Sequence, residues 1–268
     1  MRKIIWLLVI SFGITSCTEI IQLDLQNNKS EVVVEASMAA ANEIRVLLSR
    51  SVNLDESNTF PLLTGAQVSI SDENNNTEVL TEIEPGVYQS ITTKGIEGKR
   101  YFLDLIVNNQ SISATSTMPS IVPFTDMVIE KGSVFGPIGG NTNTDNTEYY
   151  EIKVLFNDPV EEVNYYRFVE FINNEKQQEY IYDDRLNNGK DVEIVLFRFD
   201  RLLKTEDVVR IEMQTITKEF YVYLSSLNDL RNSARSGSTP ANPVTNMQGT
   251  SLGYFNTYTS QSKEYIIE

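Results

Sequence analysis

Histidine does not occur once in the 268 residues of this chain. Its absence removes the commonest general base and the commonest transition-metal ligand together. Cysteine occurs once, so the chain cannot close an internal disulfide. Positive charge is scarce, with 22 Lys and Arg against 37 Asp and Glu. That balance repels phosphate backbones and anionic membrane surfaces, and it sets nucleic acid aside as a partner. Beyond the first residues, no apolar run approaches the roughly 20 residues that a spanning helix needs. Catalysis, if there were any, would have to rest on carboxylates, tyrosine, serine and lysine.

The single cysteine stands at the end of the one long apolar run. Met1-Arg2-Lys3 makes a basic start, and Ile4 to Ile10 with Phe12 and Ile14 form an apolar stretch the size of a signal-peptide core. Ile14-Thr15-Ser16-Cys17 then looks like the lipobox of bacterial lipoproteins, whose cysteine is diacylated on sulfur and becomes the mature N-terminus. Residues 1–16 are thus expected to be a signal peptide and 17–30 a short tether, with Cys17 as the lipidation site. Two or more acyl chains anchor a protein stably without crossing the membrane. The alternative is an ordinary secretory signal cut nearby, which would leave Cys17 free. Loss of Arg2 and Lys3 would make the formal charge of −15 more negative by two.

From residue 31 the texture is that of strands. "VVVEA" (32–36), "EIRVLLSRSV" (43–52), "AQVSISD" (66–72), "TEVLTEI" (77–83), "GVYQSI" (86–91), "RYFLDLIVN" (100–108) and "QSISATSTM" (110–118) mostly alternate apolar with polar at period 2. About seven strands in about 100 residues predict an antiparallel sandwich over 31–120. Pro119 and Pro123 mark a boundary, and 121–268 is predicted to be a second, aromatic-rich β domain. Its strands are expected at 148–158, 164–173, 177–184, 191–199, 207–217 and 251–267. One stretch departs from period 2: Phe220, Tyr223, Leu224, Leu227 and Leu230 recur at intervals of three and four, which predicts a helix over 218–234. The expected fold is therefore mainly β, two antiparallel sandwich-like domains with one helix in the second. Two Gly- and Pro-rich stretches, 132–147 and 235–249, read as surface loops.

Few residues invite chemistry. Asp183, Asp184, Asn187 and Asp191 crowd around Gly189, and oxygen ligands of this kind suit Ca²⁺. Their spacing does not match an EF-hand loop, and Asn188-Gly189 between two strands is a strong hairpin signal. The turn is the preferred reading and the metal site the alternative. Asp72 to Asn76 reads as a solvated hairpin tip. Adjacent carboxylates such as Glu161-Glu162 or Asp183-Asp184 point to opposite faces of a strand, so neither is an acid–base pair of the glycosidase kind. The 13 tyrosines and 12 phenylalanines fill a β core as readily as they build a stacking platform.

Taken in order, the segments resemble one family. They are the lipobox followed by "IIQLDL", then "EVVVEASM", "VLLSRS", "GAQVSISD", "EPGVYQS", "GKRYFLDL", "FNDP", "NYYRF", "DDRLNNG" and "PANPVTNMQGTSLGYF". The chain is similar to the Bacteroidota lipoproteins known as domain of unknown function 4249. The resemblance implies an outer-membrane lipoprotein working beside a TonB-dependent receptor. It also implies a first domain similar to the carboxypeptidase-regulatory or transthyretin-like sandwich. It carries over no catalytic residue and no cofactor. The expectation is a non-catalytic accessory protein that captures a ligand or docks on the receptor, with a structural or adhesive surface protein, and behind it a carboxylate hydrolase, as alternatives. Contact is expected on the two long loops, at Phe135, Asn141, Pro240, Asn242 and Pro243.

Overall fold

A computed structural model describes residues 30–52, 59–131, 150–196, 203–236 and 242–268. The first strands in chain order are β1 (Val32–Ala39), β2 (Glu43–Arg50), β3 (Gln67–Asp72), β4 (Thr77–Val79), β5 (Thr81–Glu84), β6 (Val87–Lys94), β7 (Arg100–Val107) and β8 (Gln110–Thr117). There follow β9 (Phe124–Lys131), β10 (Tyr150–Asn157), β11 (Tyr165–Ile172), β12 (Glu175–Asp183), β13 (Asp191–Leu196) and β14 (Val208–Ile216). Helix α1 (Lys218–Ser236), β15 (Met247–Gln248) and β16 (Ser251–Ile266) complete them. As expected from the sequence, the fold is mostly β, with one helix among the described residues.

Three sheets enclose two cores. The largest runs β12-β11-β14-β16-β1-β2-β6-β5, and it is faced by a five-stranded sheet (β15-β8-β7-β3-β4) and a three-stranded one (β13-β10-β9). The first core lies between β1, β2, β6 and the five-stranded sheet. Strict alternation puts Val32, Val34, Ala36 and Met38 of β1 inward, and Ile44, Val46 and Leu48 of β2 beside them. From the other sheet come Val68, Ile70, Leu103 and Leu105.

The second core lies between β11, β14 and the three-stranded sheet, and aromatic side chains fill it. The Phe156 ring sits 4.7 Å from Tyr166 and 6.1 Å from Phe168, contacts that each add about 1 kcal/mol beyond simple burial.

Two strands change sheets, and both depart from the sequence-based expectation. The predicted strand 77–83 breaks at buried Leu80: β4 pairs with β3 in one sheet, whereas β5 pairs with β6 in the other. The second departure concerns the boundary at residue 120. Strand β16 pairs in parallel with β1 along residues 251–258, then antiparallel with β14 from Thr259 onward. The chain's last strand therefore belongs to both bodies, and the first sandwich is built in part from residues beyond 250.

The physical reason lies in the alternation of β16. Phe255 enters the first core, while Thr257 Oγ1 meets Ser116 Oγ at 2.8 Å across the two sheets. Just upstream, the Asn246 side chain accepts from Phe255 N and donates to its carbonyl, and β15 pairs with β8. Both β15 and β9 arise where no strand is predicted.

Helix α1 begins directly after β14 and lies on the outer face of the large sheet. Phe220 and Leu224 are its buried positions, packed with Ile216 and against Tyr165, Ile181, Tyr254 and Tyr258. Thr217 caps the start, its hydroxyl accepting from Phe220 N. The 3–4 spacing seen in the sequence is this stripe.

Candidate functional site

The helix and the edge of the large sheet meet at the end of β12. There Tyr182 turns into the core, its ring stacked 6.3 Å from Tyr166. Its neighbours Ile181 and Asp183 turn toward α1, as the period of a strand requires. Tyr221, one turn into the helix, donates to Asp183 Oδ2 at 2.7 Å, and the Arg185 guanidinium grips the same carboxylate at 2.7 and 2.9 Å. A cleft of about 490 Å³ opens here, lined by Ile181, Tyr182, Asp183, Arg185, Leu186, Asn187 and Tyr221. Its volume lies within the range of small-ligand pockets.

The charges of the cleft are held in place by hydrogen bonds. The hydrogen bond from Arg185 holds the Asp183 carboxyl below its ordinary range against the opposing effect of burial, and the Tyr221 hydroxyl adds to it. Burial, then the bond to Asp183, pushes the Tyr221 phenol up to about 12. Both groups keep one protonation state through the physiological range, so they offer oriented hydrogen bonds rather than a mobile proton. Leu186 projects from the rim, 87% exposed.

Beneath the rim the connection 184–190 packs against the connection 158–164. Asp184 is fully buried, and its Oδ2 accepts from Asn164 N at 2.8 Å. Asp158, 1% exposed, accepts from Gly189 N at 3.0 Å through Oδ2 and from the Tyr166 hydroxyl through Oδ1. Backbone bonds run alongside, Asp184 N to Asn164 O and Asp158 N to Lys190 O. Gly189 has φ +72°, and a Cβ there would lie 2.8 Å from the Val160 Cβ, so only glycine lets the two connections lie this close. Burial and the Asp158 carboxylate raise the Tyr166 phenol far above its usual value.

The candidate metal ligands do not converge. Asp183 serves Arg185 and Tyr221, Asp184 points inward, Asn187 donates to the Tyr182 hydroxyl at 2.7 Å, and Asp191 accepts from Asn157 at 2.8 Å. Among the described residues no group of three acidic, His or Cys side chains is placed to hold a metal ion. The hairpin expected at Asn188-Gly189 is corrected as well. The turn is real, but β12 and β13 lie in different sheets and do not pair, so it is a crossover between sheets. Asp72 to Asn76 does form a hairpin tip between β3 and β4, where Lys99 and Asn76 bind the Asp72 carboxylate.

The expected lipidation site Cys17, and Phe135, Asn141 and Pro240 of the loop residues expected to make contacts, lie outside the described residues. Asn242 is exposed and Pro243 half-buried, in a segment tied to α1 by Val244 N donating to Ser226 Oγ. Neither borders the cleft. The residues that do matter there and were not singled out are Asp158, Tyr166, Leu186 and Tyr221. "FNDP" and "NYYRF" were the only traces of the first two.

Fold and site define a two-core β protein with a cleft where helix α1 meets a sheet edge. The chain belongs to the family described as domain of unknown function (DUF4249), whose model matches residues 18–264. No curated protein matches it. Among solved structures, a two-domain fibronectin type III segment of chicken tenascin aligns over 88% of this chain and 99% of its own at 7% identity, with a TM-score of 0.24. The FN1–FN3 domains of chicken CNTN1 align over 69% of this chain and 60% of theirs at 12% identity, TM-score 0.28. A DUF4785 family protein from Legionella pneumophila aligns over 68% of this chain and 52% of its own at 12% identity, TM-score 0.25. Among the described residues no helix is long and apolar enough to cross a membrane.

Proposed function

We propose that this chain is a lipoprotein of a Bacteroidota outer membrane, anchored through acylated Cys17 and working without catalysis beside a TonB-dependent uptake receptor. The observation that carries the reading is the placement of the only cysteine at the end of a basic-then-apolar leader, in "ITSC". The receptor comes from the family resemblance, and the first body is the regulatory-like sandwich which that resemblance implies. The cleft at the end of β12 supports a binding role. It is framed by fixed hydrogen bonds and lined by two tyrosines and two aliphatic side chains, of which Leu186 is exposed. That surface is a further contact face beside the two long loops.

Two linked measurements test the reading. Cells fed labelled palmitate should label the wild-type chain and not Cys17→Ser, and the native protein extracted in detergent should bring a TonB-dependent receptor with it in stoichiometric amount. An unlabelled wild-type chain overturns the anchor. Recovery of the lipoprotein alone, under conditions that preserve a known receptor pair, overturns the partnership and moves a structural or adhesive role forward.

A further inference from the structure

In the cleft at the end of β12 most polar groups have partners, and the few without one restrict what can lie there. Both oxygens of Asp183 are taken: Arg185 Nε donates to Oδ1 at 2.7 Å, Arg185 Nη2 to Oδ2 at 2.9 Å, and the Tyr221 hydroxyl to Oδ2 at 2.7 Å. The Asp183 side chain is 13% exposed, whereas that of Arg185 is 68% exposed. One edge of the guanidinium is thereby fixed in orientation. The other, with Nη1 and the second N–H of Nη2, has no acceptor among the described residues.

The Tyr182 hydroxyl is a second donor. It accepts from Asn187 Nδ2 at 2.7 Å and, among the described residues, gives its own proton to none. Acceptors are fewer. Asn187 Oδ1 has no donor among the described residues, and the Tyr221 oxygen has given its proton to Asp183. The walls around these groups are the Ile181 and Leu186 side chains and the two tyrosines. A fitting ligand brings acceptor oxygens to the guanidinium edge, an N–H to Asn187 and an apolar body to the walls. A phosphate has neither the N–H nor the apolar body. A sugar brings hydroxyls that need acceptors, and Asp183 has none left to offer.

We propose that this cleft takes the C-terminal end of a peptide whose last residue is apolar. The carboxylate lies on the outer edge of Arg185 with the Tyr182 hydroxyl as second donor, the last amide N–H goes to Asn187 Oδ1, and the last side chain packs on Ile181 and Leu186. A guanidinium fork matches a carboxylate bidentately, and one already held by Asp183 loses little freedom on binding. The Asp183 charge weakens the long-range pull on an anion, so the preference for a carboxylate rests on directed hydrogen bonds. The volume of about 490 Å³ suits a chain end rather than a long segment. The inference rests on the reading of this cleft as a binding site and names the ligand.

The test uses the full-length chain in detergent, with its isoleucine and leucine methyl groups labelled for NMR, and the probe acetyl-Ala-Leu-Leu with a free carboxylate. The Ile181 and Leu186 methyl signals should shift saturably. The same peptide ending in an amide should bind at least about tenfold more weakly, and Arg185→Gln should bring the two peptides to within about twofold of each other. Octanoate, a carboxylate with no N–H for Asn187, should bind more weakly than the acid peptide. Equal binding of acid and amide by the wild type overturns the proposal whether or not the variant folds, and leaves the cleft a binding site for something else. Octanoate binding as tightly as the peptide overturns it in favour of a free apolar acid. Methyl signals that no probe shifts overturn it too. The receptor contact is read separately, by co-purification from membranes, so the two readings fail independently.

Discussion

Val34 and Gly253 face each other across the parallel pairing of β1 and β16, and a Cβ on Gly253 would lie 1.9 Å from the Val34 carbonyl oxygen. The glycine also has φ +104°, a conformation that L side chains rarely adopt. The contact sits where the last strand enters the first sandwich. Everything that joins the two cores through β16 depends on it.

Gly253→Ala should therefore cost on the order of 3 to 4 kcal/mol, because strain and a backbone clash add at one buried position. Thermal unfolding monitored by circular dichroism checks it. A change under about 1 kcal/mol would mean that β16 can shift without loss, and the shared strand would not be the joint.

Glu78 on β4 clamps the irregular middle of β6, and so ties one sheet to the other. Its carboxylate accepts from Ile91 N and Thr93 N at 2.6 Å and from the Thr92 hydroxyl at 2.7 Å. Burial pushes its pKa upward, but these bonds outweigh it and hold the group down to about 2. A lowered folded pKa gives stability that is complete above the unfolded value near 4.5 and is lost as pH falls toward 2. Glu78→Gln should flatten that acid limb and weaken the clamp by about 1 to 2 kcal/mol at neutral pH. Urea titrations at several pH values decide, and parallel acid limbs for the two proteins would refute it.

Tyr166→Phe removes the hydroxyl that donates to Asp158 and leaves a buried carboxylate oxygen without its partner. The expected cost is about 1 to 3 kcal/mol, more than the small volume change alone would produce. The double variant Tyr166→Phe with Asp158→Asn should recover part of the loss, since the orphaned charge disappears. Additive losses in that cycle would show that the two groups are not coupled.

The strands were legible because each has one wet face: in β1 and β2 the period of 2 names the core residues one by one. The helix was legible for the same reason, with Phe220 and Leu224 on its buried stripe. What could not be read were relations across long distances in the chain. Nothing in "SLGYFNTYTS" says that Gly253 will meet Val34 in a parallel pairing, because parallel and antiparallel strands share the same alternation. β9 was missed behind Pro119 and Pro123, whose turn chemistry masks a strand starting at Phe124.

The candidate site shows the same limit more sharply. Adjacent Asp183 and Asp184 were rightly separated onto two faces, but the partner of Asp184 is Asn164, on a different connection of the same body. Only the crossover between sheets, which Gly189 permits, brings the two together. A search for close pairs in sequence could not have found them.

Leu186 offers the cleanest way to separate binding from folding. It is 87% exposed at the tip of a connection that is braced from below by Asp158 and Asp184, so Leu186→Asp should alter stability by less than about 0.5 kcal/mol. If the cleft rim is the contact face, the exposed Leu186 side chain loses its water on binding and contributes by burial. Replacing it with a carboxylate beside Asp183 adds desolvation and like charge to the loss. Co-purification of the receptor from detergent-solubilised membranes should then drop at least tenfold, a loss of about 1.4 kcal/mol, while the melting temperature and palmitate labelling remain those of the wild type. Undiminished co-purification would place the contact elsewhere, and the exposed Asn242–Val244 segment would be the next surface to alter.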